Sequence, residues 1–302
     1  MIITRILKRL SSPSPGQVDY EELIPRIPFT KGITHNIYQT TKSKAVSEAI
    51  STNIDKIRRL NPDWDYFLFD DSDIEEFIKQ NYGEKMLGYY KRISPSYGAA
   101  KADFFRYLLI YSKGGVYLDI KSTLNKSLSA IFKDDDAYLL SYWDNLEGQD
   151  HHGFGHYPGI PDNLERGEIL QWYIAASPGH PLLRQIIIQM LHNIDSYNPY
   201  INGVGWTGTV STTGPVMYTK VISDSLNDSP EAFPVRWVNI FKDCGFQYSI
   251  FERQDGSISN LPLHTKVLPS DYRKASSPLI AHKSSVIQAI NVRYLSLLNR
   301  SM

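Results

Sequence analysis

Three charged side chains stand in a stretch that is otherwise apolar. From Ala99 to Thr123 the chain reads AAKADFFRYLLIYSKGGVYLDIKST. Asp103 and Arg106 are three residues apart, so on a helix they share a face. They form either an ordinary helix ion pair or a pair turned towards a polar cavity. Asp119 follows an apolar strand. A carboxylate there can hold a divalent cation or a ligand hydroxyl, or cap nearby backbone N–H groups. Lys121 falls on the same side as Asp119 if the strand alternation continues. His151, His152 and His156 have a spacing that could suit a metal, but no Cys or Glu accompanies them in a zinc pattern. Exposed or acceptor-contacting histidines are the plainer reading. His282, after the short apolar run PLIA, is by itself a core histidine before it is a ligand.

The elements that must position these groups are legible. Ala99–Lys113 is apolar all round, as a buried helix is. Gly114-Gly115 stops it, and a strand over residues 116–121 follows. Upstream, a strand at 35–40 leads to a helix capped by Ser43, with Val46, Ile50, Ile54 and Ile57 at helical spacing and Asn61-Pro62 at its end. A second strand at 64–69 precedes a helix at 73–80 with a Ser72/Glu75 capping box. This alternation argues for βαβ units and an α/β fold. Downstream, Asp134-Asp135-Asp136 reads as a solvated turn and 137–143 as a strand. Residues 144–167 and 197–213 read as long polar loops, 168–176 and 181–194 as helices. Gly214-Pro215 opens a helix running to about residue 226. Residues 235–240, 264–268 and 279–281 read as short strands.

At 302 residues and zero formal net charge, the chain can bury a sizeable core, and a bulk basic surface for nucleic acid is not expected. One cysteine, Cys244, excludes an intramolecular disulfide, which fits a reducing compartment. The 20 Tyr and 5 Trp can line a carbohydrate site or simply fill cores. No apolar run reaches a membrane span. Residues 1–10 place Ile2, Ile3, Ile6, Leu7 and Leu10 opposite Arg5, Lys8 and Arg9, which suits peripheral contact with an anionic membrane or an ordinary docked helix. The expected organisation is a basic segment and Pro/Ser-rich linker over 1–31, then one domain over 32–302.

The pattern A-x-x-A-D-x-x-R-Y, followed by G-G-x-Y-x-D, spans Ala99 to Asp119. It resembles the sugar-binding region of DXD glycosyltransferases, and most closely family 32, which includes yeast-type initiating α-1,6-mannosyltransferases and bacterial capsule enzymes. Ile37-Tyr38-Gln39-Thr40 resembles that family's first strand, I-H-Q-T. Ala176–Pro181 resembles its A-x-x-G-H-P turn, and Thr213-Gly214-Pro215 matches T-G-P. The resemblance implies a GT-A-like single domain, with a mixed, mostly parallel sheet flanked by helices. It implies retaining transfer of a hexose from a UDP- or GDP-sugar to a glycan or glycolipid acceptor in polysaccharide biosynthesis; the expected location is cytoplasmic, with residues 1–10 able to make peripheral contact at the inner membrane face. Asp103, Arg106, Tyr117, Tyr38, Gln39 and Gly214 would bind the donor. Asp119 would serve catalysis and, with His282, the metal, a divalent Mn²⁺ or Mg²⁺.

Two positions depart from the family pattern. Lys121 stands where the second aspartate of D-x-D is expected, so either Asp119 and His282 hold the cation with water and phosphate, or the Lys121 ammonium partly replaces the cation by neutralising the diphosphate, with weakened or altered metal dependence. Thr41 stands where many relatives carry a base-stacking tryptophan. Two rivals follow: a catalytically silent sugar-nucleotide-binding or scaffold protein, and a histidine-loop metallohydrolase.

Overall fold

The structure is a computed structural model that describes residues 18–161, 163–251 and 272–281. The basic segment at 1–10 and His282 lie outside the described residues, as does the strand expected at 264–268. In chain order come α1 (Tyr20–Leu23), β1 (Asn36–Thr40), α2 (Glu48–Leu60), β2 (Asp65–Phe69), α3 (Asp71–Arg92), α4 (Gly98–Lys113), β3 (Gly115–Leu118) and β4 (Thr123–Leu124). Then follow β5 (Tyr138–Leu140), β6 (Tyr173–Ala176), α5 (Pro181–Ser196), α6 (Pro199–Asn202), α7 (Gly205–Thr212), α8 (Pro215–Asp228), β7 (Arg236–Trp237) and β8 (Phe246–Gln247).

Six strands form one mixed sheet in the order β2-β1-β3-β6-β5-β7, parallel except where β6 runs against both β3 and β5. Helices pack on both faces, which makes the fold α/β. The alternation predicted for β3 decides which core each residue enters. Tyr117 joins α4, α5 and α8 on one face, while Val116 and Leu118 join Ile37, Leu139 and Ile57 on the other. Helix α4 is buried along almost its whole length. It ends at Gly114, and Gly115 starts β3 at φ 97°, where an added Cβ would lie 2.6 Å from the Asn36 carbonyl oxygen. Only glycine satisfies both that backbone and that contact.

Several elements differ from the expectation. Residues 168–176 do not form a helix; β6 occupies their end, because a short apolar run fits a buried strand as well as a helix. The expected loop at 197–213 holds α6 and α7. The first long helix starts after Ser47 rather than Ser43. The capping box of α3 is Asp70/Asp73, and this element continues to Arg92 with a non-helical break at Gly83. Asp136 is not solvated: it is buried and takes a two-pronged pair of hydrogen bonds, both 2.6 Å, from Arg236. The lead-in carries α1, which docks on α5 through Arg184 and Glu21 and through Tyr20 and Asp195.

Candidate active site

In an open α/β sheet, ligands bind beyond the carboxyl ends of the strands where the strand order reverses. Here β1 has β2 on one side and β3 on the other, so the reversal lies at β1 and β3. Asp119 is the first residue beyond β3, and Gln39 lies near the end of β1. The Gln39 side-chain amide donates to the Asp119 carbonyl oxygen at 3.0 Å and is itself fixed by the Tyr66 hydroxyl, which donates to Gln39 Oε1 at 2.8 Å. Gln39 is fully buried, so it shapes the Asp119 backbone from behind.

The three charges do meet. Arg106 Nη2 donates to Asp119 Oδ1 at 3.0 Å and lies 3.2 Å from Asp103 Oδ1. Its Nη1 donates to the Gln171 carbonyl oxygen at 2.5 Å. Its guanidinium lies over the Tyr117 ring, 4.6 Å from the centroid. The Tyr117 hydroxyl bonds Thr40 Oγ1 at 2.9 Å and reaches Asp119 Oδ1 at 3.5 Å. Thr213 Oγ1 donates to Asp103 Oδ2 at 2.9 Å. The Tyr107 hydroxyl joins Gln171 Oε1 at 2.8 Å and the Thr213 carbonyl oxygen at 2.9 Å. A buried network of this kind is stable only when each member is partnered.

Burial sorts these groups by task. The Asp103 and Arg106 side chains are 5% and 4% exposed, whereas Asp119 is 24% exposed. Asp103 and Arg106, expected to hold donor hydroxyls, are thus the buried members of the cluster, and Asp119 is its exposed member. A helix apolar on every side buries both, and they stand behind Asp119 and fix it. Burial pushes the Asp103 carboxyl up to about 6, against the opposing pull of Arg106 and Thr213. For Arg106, burial acts to lower the pKa, but the Tyr117 phenol and the carboxylates of Asp119 and Asp103 outweigh it and hold the guanidinium firmly charged. Two carboxylates against one guanidinium leave this cluster one negative charge in excess, and Asp119 is its exposed end.

Other expected site residues fall elsewhere. Tyr38 is a core residue: its ring stacks on Phe67 with centroids 5.4 Å apart and touches Phe69. Gly214 acts through packing. A Cβ there would lie 2.8 Å from Val210 Cα, so glycine lets α8 start against α7 and sets Thr213 beneath Asp103. Lys121 does not share the Asp119 face. The strand ends at Leu118 and a turn closes by a bond from Ser122 N to the Asp119 carbonyl oxygen at 2.8 Å, which breaks the alternation. The Lys121 ammonium is instead tied to the Tyr248 hydroxyl at 2.5 Å and leans over that ring. The three loop histidines are not gathered. His151 is buried against Phe241 and Trp143, while His152 and His156 are exposed. Among the described residues, no group of three or more His, Cys, Asp or Glu could hold a metal.

The sequence reading missed Gln171, hidden in a segment taken for a helix. Thr213 and Tyr107 lay inside the quoted patterns without being assigned a task. It also missed Glu168, which is buried against Trp143 and Tyr157. Burial pushes its carboxyl up to about 7, although Trp143 Nε1 and the Tyr157 hydroxyl donate to it, and its Oε2 has no partner among the described residues.

This arrangement can present one carboxylate oxygen, held by Arg106, at the mouth of the β1/β3 crevice. The comparisons with known proteins agree in kind. Residues 47–138 match the family described as a glycosyltransferase sugar-binding region containing a DXD motif. The initiation-specific α-1,6-mannosyltransferase of Schizosaccharomyces pombe is 28% identical over 221 residues, covering 67% of this chain and 50% of its own. Inositol phosphoceramide mannosyltransferase 1 of the same organism is 27% identical over 188 residues, covering 61% and 46%. The chain thus spans about half the length of these curated relatives. The solved PaToxG glycosyltransferase aligns at 16% identity with a TM-score of 0.45, over 80% of this chain and 87% of its own. The family and sequence matches do not favour the silent-scaffold alternative. Over residues 47–138 the chain is thus similar to glycosyltransferase sugar-binding regions that contain a DXD motif.

Proposed function

We propose that the protein transfers a hexose, mannose by analogy with its relatives, from a nucleotide-sugar to a hydroxyl of a glycan or glycolipid acceptor, with retention at the anomeric carbon. The observation that carries this reading is the Arg106-centred network, which holds a partly exposed Asp119 at the β1/β3 crevice. The donor lies across that crevice with its diphosphate at Asp119. The acceptor oxygen bonds to the anomeric carbon as the bond to the nucleoside diphosphate breaks. Catalysis is chiefly electrostatic, because the site must stabilise charge on the departing diphosphate.

A divalent cation fits this donor set in one way. Asp119 has a partly exposed carboxylate whose Oδ1 alone is engaged by Arg106 and Tyr117. A hard cation such as Mg²⁺ or Mn²⁺ is commonly bound by one or two carboxylates together with substrate phosphates. Asp119 would hold it, and the cation would neutralise the diphosphate. Arg106, Asp103 and Gln39 fix the Asp119 carboxylate and backbone so that no reorganisation is needed on binding. Lys121 supplies a positive charge two residues on, braced by Tyr248.

Incubation with GDP-mannose, UDP-glucose, UDP-galactose and UDP-N-acetylglucosamine, with Mn²⁺, tests the reading. Release of the nucleoside diphosphate from one of these is expected. Tight binding of a donor with no turnover, with or without acceptor, would contradict it.

A further inference from the structure

On the same rim of the sheet, beyond the ends of β5 and β7, lies a cavity of about 310 Å³. Its walls include Tyr142, Trp237, Arg166, Ser141, Asn239 and Asp243. Strands β5 and β7 are parallel to each other and to β3, so the cavity opens at the end of the sheet where Asp119 stands. It is three strands away, on the order of 14 Å across the sheet. The rim between is continuous backbone: Asp119 N bonds Trp172 O, Leu170 N bonds Ser141 O, and Tyr142 bridges to Ile169.

The lining has the composition that recognises a sugar ring. Trp237 stacks on Tyr142 with centroids 4.8 Å apart and planes 9° apart, yet Trp237 remains 43% exposed. A large indole held flat and left open to solvent is a platform for the C–H face of a pyranose. Polar groups ring it. Arg166 Nη2 is anchored on the Trp143 carbonyl oxygen at 2.9 Å, while its Nε is buried without a partner among the described residues. Asp243 Oδ2 accepts from Asn239 N at 3.0 Å, and its side chain lies at the surface. Guanidinium and carboxylate groups beside an aromatic face suit sugar hydroxyls, and the volume is within the range of small-molecule pockets.

We infer that this cavity is an acceptor subsite that takes a hexopyranose residue of the acceptor glycan, remote from the hydroxyl that is attacked. The inference rests on the glycosyltransferase reading. The donor belongs at the β1/β3 crevice beside Asp119, which leaves the β5/β7 side for the acceptor. Since the platform is several strands from the reacting centre, it engages acceptors longer than one sugar. Such remote contacts supply binding energy that a truncated substrate forgoes.

Transfer rates are measured at varied methyl α-mannoside and varied α-linked mannotriose for the wild type, Trp237→Ala and Trp237→Phe, with the donor KM determined alongside. Trp237→Ala is expected to raise KM for mannotriose about tenfold or more. Trp237→Phe, which keeps a ring, is expected to recover most of that loss. An unchanged mannotriose KM in Trp237→Ala overturns the inference, as does a rise confined to the donor KM, which would make Trp237 a platform for the nucleotide base. Titration of tryptophan fluorescence with mannotriose, without donor, reads the cavity separately. A saturable change lost in Trp237→Ala supports the subsite, and its absence from the wild type overturns it. If no donor is turned over at all, the enzymatic reading has failed, and this titration still decides the cavity.

Discussion

Arg106 is the residue on which the site depends. Its guanidinium is shared by Asp103, Asp119 and the Gln171 carbonyl, all within 3.2 Å. Arg106→Ala leaves two carboxylates facing each other with no buried cation, and breaking such a pair costs about 3–5 kcal/mol. A urea titration is expected to show a loss of that size. Asp119→Asn keeps shape and leaves Arg106 its pair with Asp103, so stability should change by less than about 1 kcal/mol while donor turnover collapses. Glu168 carries a pH prediction. Its carboxyl is pushed up from 4.5 to about 7 by burial, so the folded state resists its ionisation. A raised pKa contributes stability that is complete below the unfolded value and is lost as pH rises through the folded one. Glu168→Gln keeps the acceptor for Trp143 and Tyr157 without the charge. It should therefore stabilise the protein by on the order of 3 kcal/mol at pH 8 and by little near pH 4.5, as read by melting curves across that window. Lys121 bears on metal dependence. Its ammonium is held on Tyr248 and off the Asp119 face, so Mn²⁺ dependence is expected to survive Lys121→Ala, and activity that persists in chelator and is abolished by Lys121→Ala would contradict this. Strict Mn²⁺ dependence that survives Lys121→Ala would assign the charge balance to the metal alone.

Among the elements, α4 and β3 were legible from sequence because physics leaves them few options. A helix apolar on every side with two charges on one face must be buried, and its charges must pair. A double glycine must end it. The alternation of Val116, Tyr117 and Leu118 between two cores followed directly. What failed had equally physical causes. Ile174, Ala175 and Ala176 are as compatible with a helix as with a strand, and only pairing with β3 and β5 decides, so Gln171 could not be placed against Arg106. The face of Lys121 was misjudged because nothing local announces that the strand stops at Leu118. Glycine-rich residues 203–214 concealed α7, whose turn depends on close backbone approach. That approach gives a prediction at this scale. Gly214→Ala sets a Cβ 2.8 Å from Val210 Cα and 3.0 Å from the Thr209 carbonyl oxygen. Overpacking of this kind costs about 1–3 kcal/mol. Because it displaces Thr213 from Asp103, activity should fall further than the loss of stability alone explains, which parallel urea and turnover measurements would separate.

At the scale of the molecule, one sheet rim carries two features. The β1/β3 end presents Asp119 and its buried supports, and the β5/β7 end presents the Tyr142–Trp237 platform. The described residues contain no helix long and apolar enough to cross a membrane. A ligand that binds only the folded state adds about 2.7 kcal/mol of stability at a hundredfold excess over its Kd. A matching nucleotide-sugar with Mn²⁺ should therefore raise the melting temperature of the wild type and fail to do so for Asp119→Asn. The most direct test of the central claim, that the Asp103–Arg106–Asp119 network presents Asp119 to a nucleotide-sugar, is nucleoside diphosphate release from the best-binding donor by wild type and Asp119→Asn, with melting curves taken on the same samples. The expected result is turnover by the wild type and a loss of about a hundredfold or more in a variant that melts at the same temperature without donor. Equal turnover by the two proteins would contradict the account.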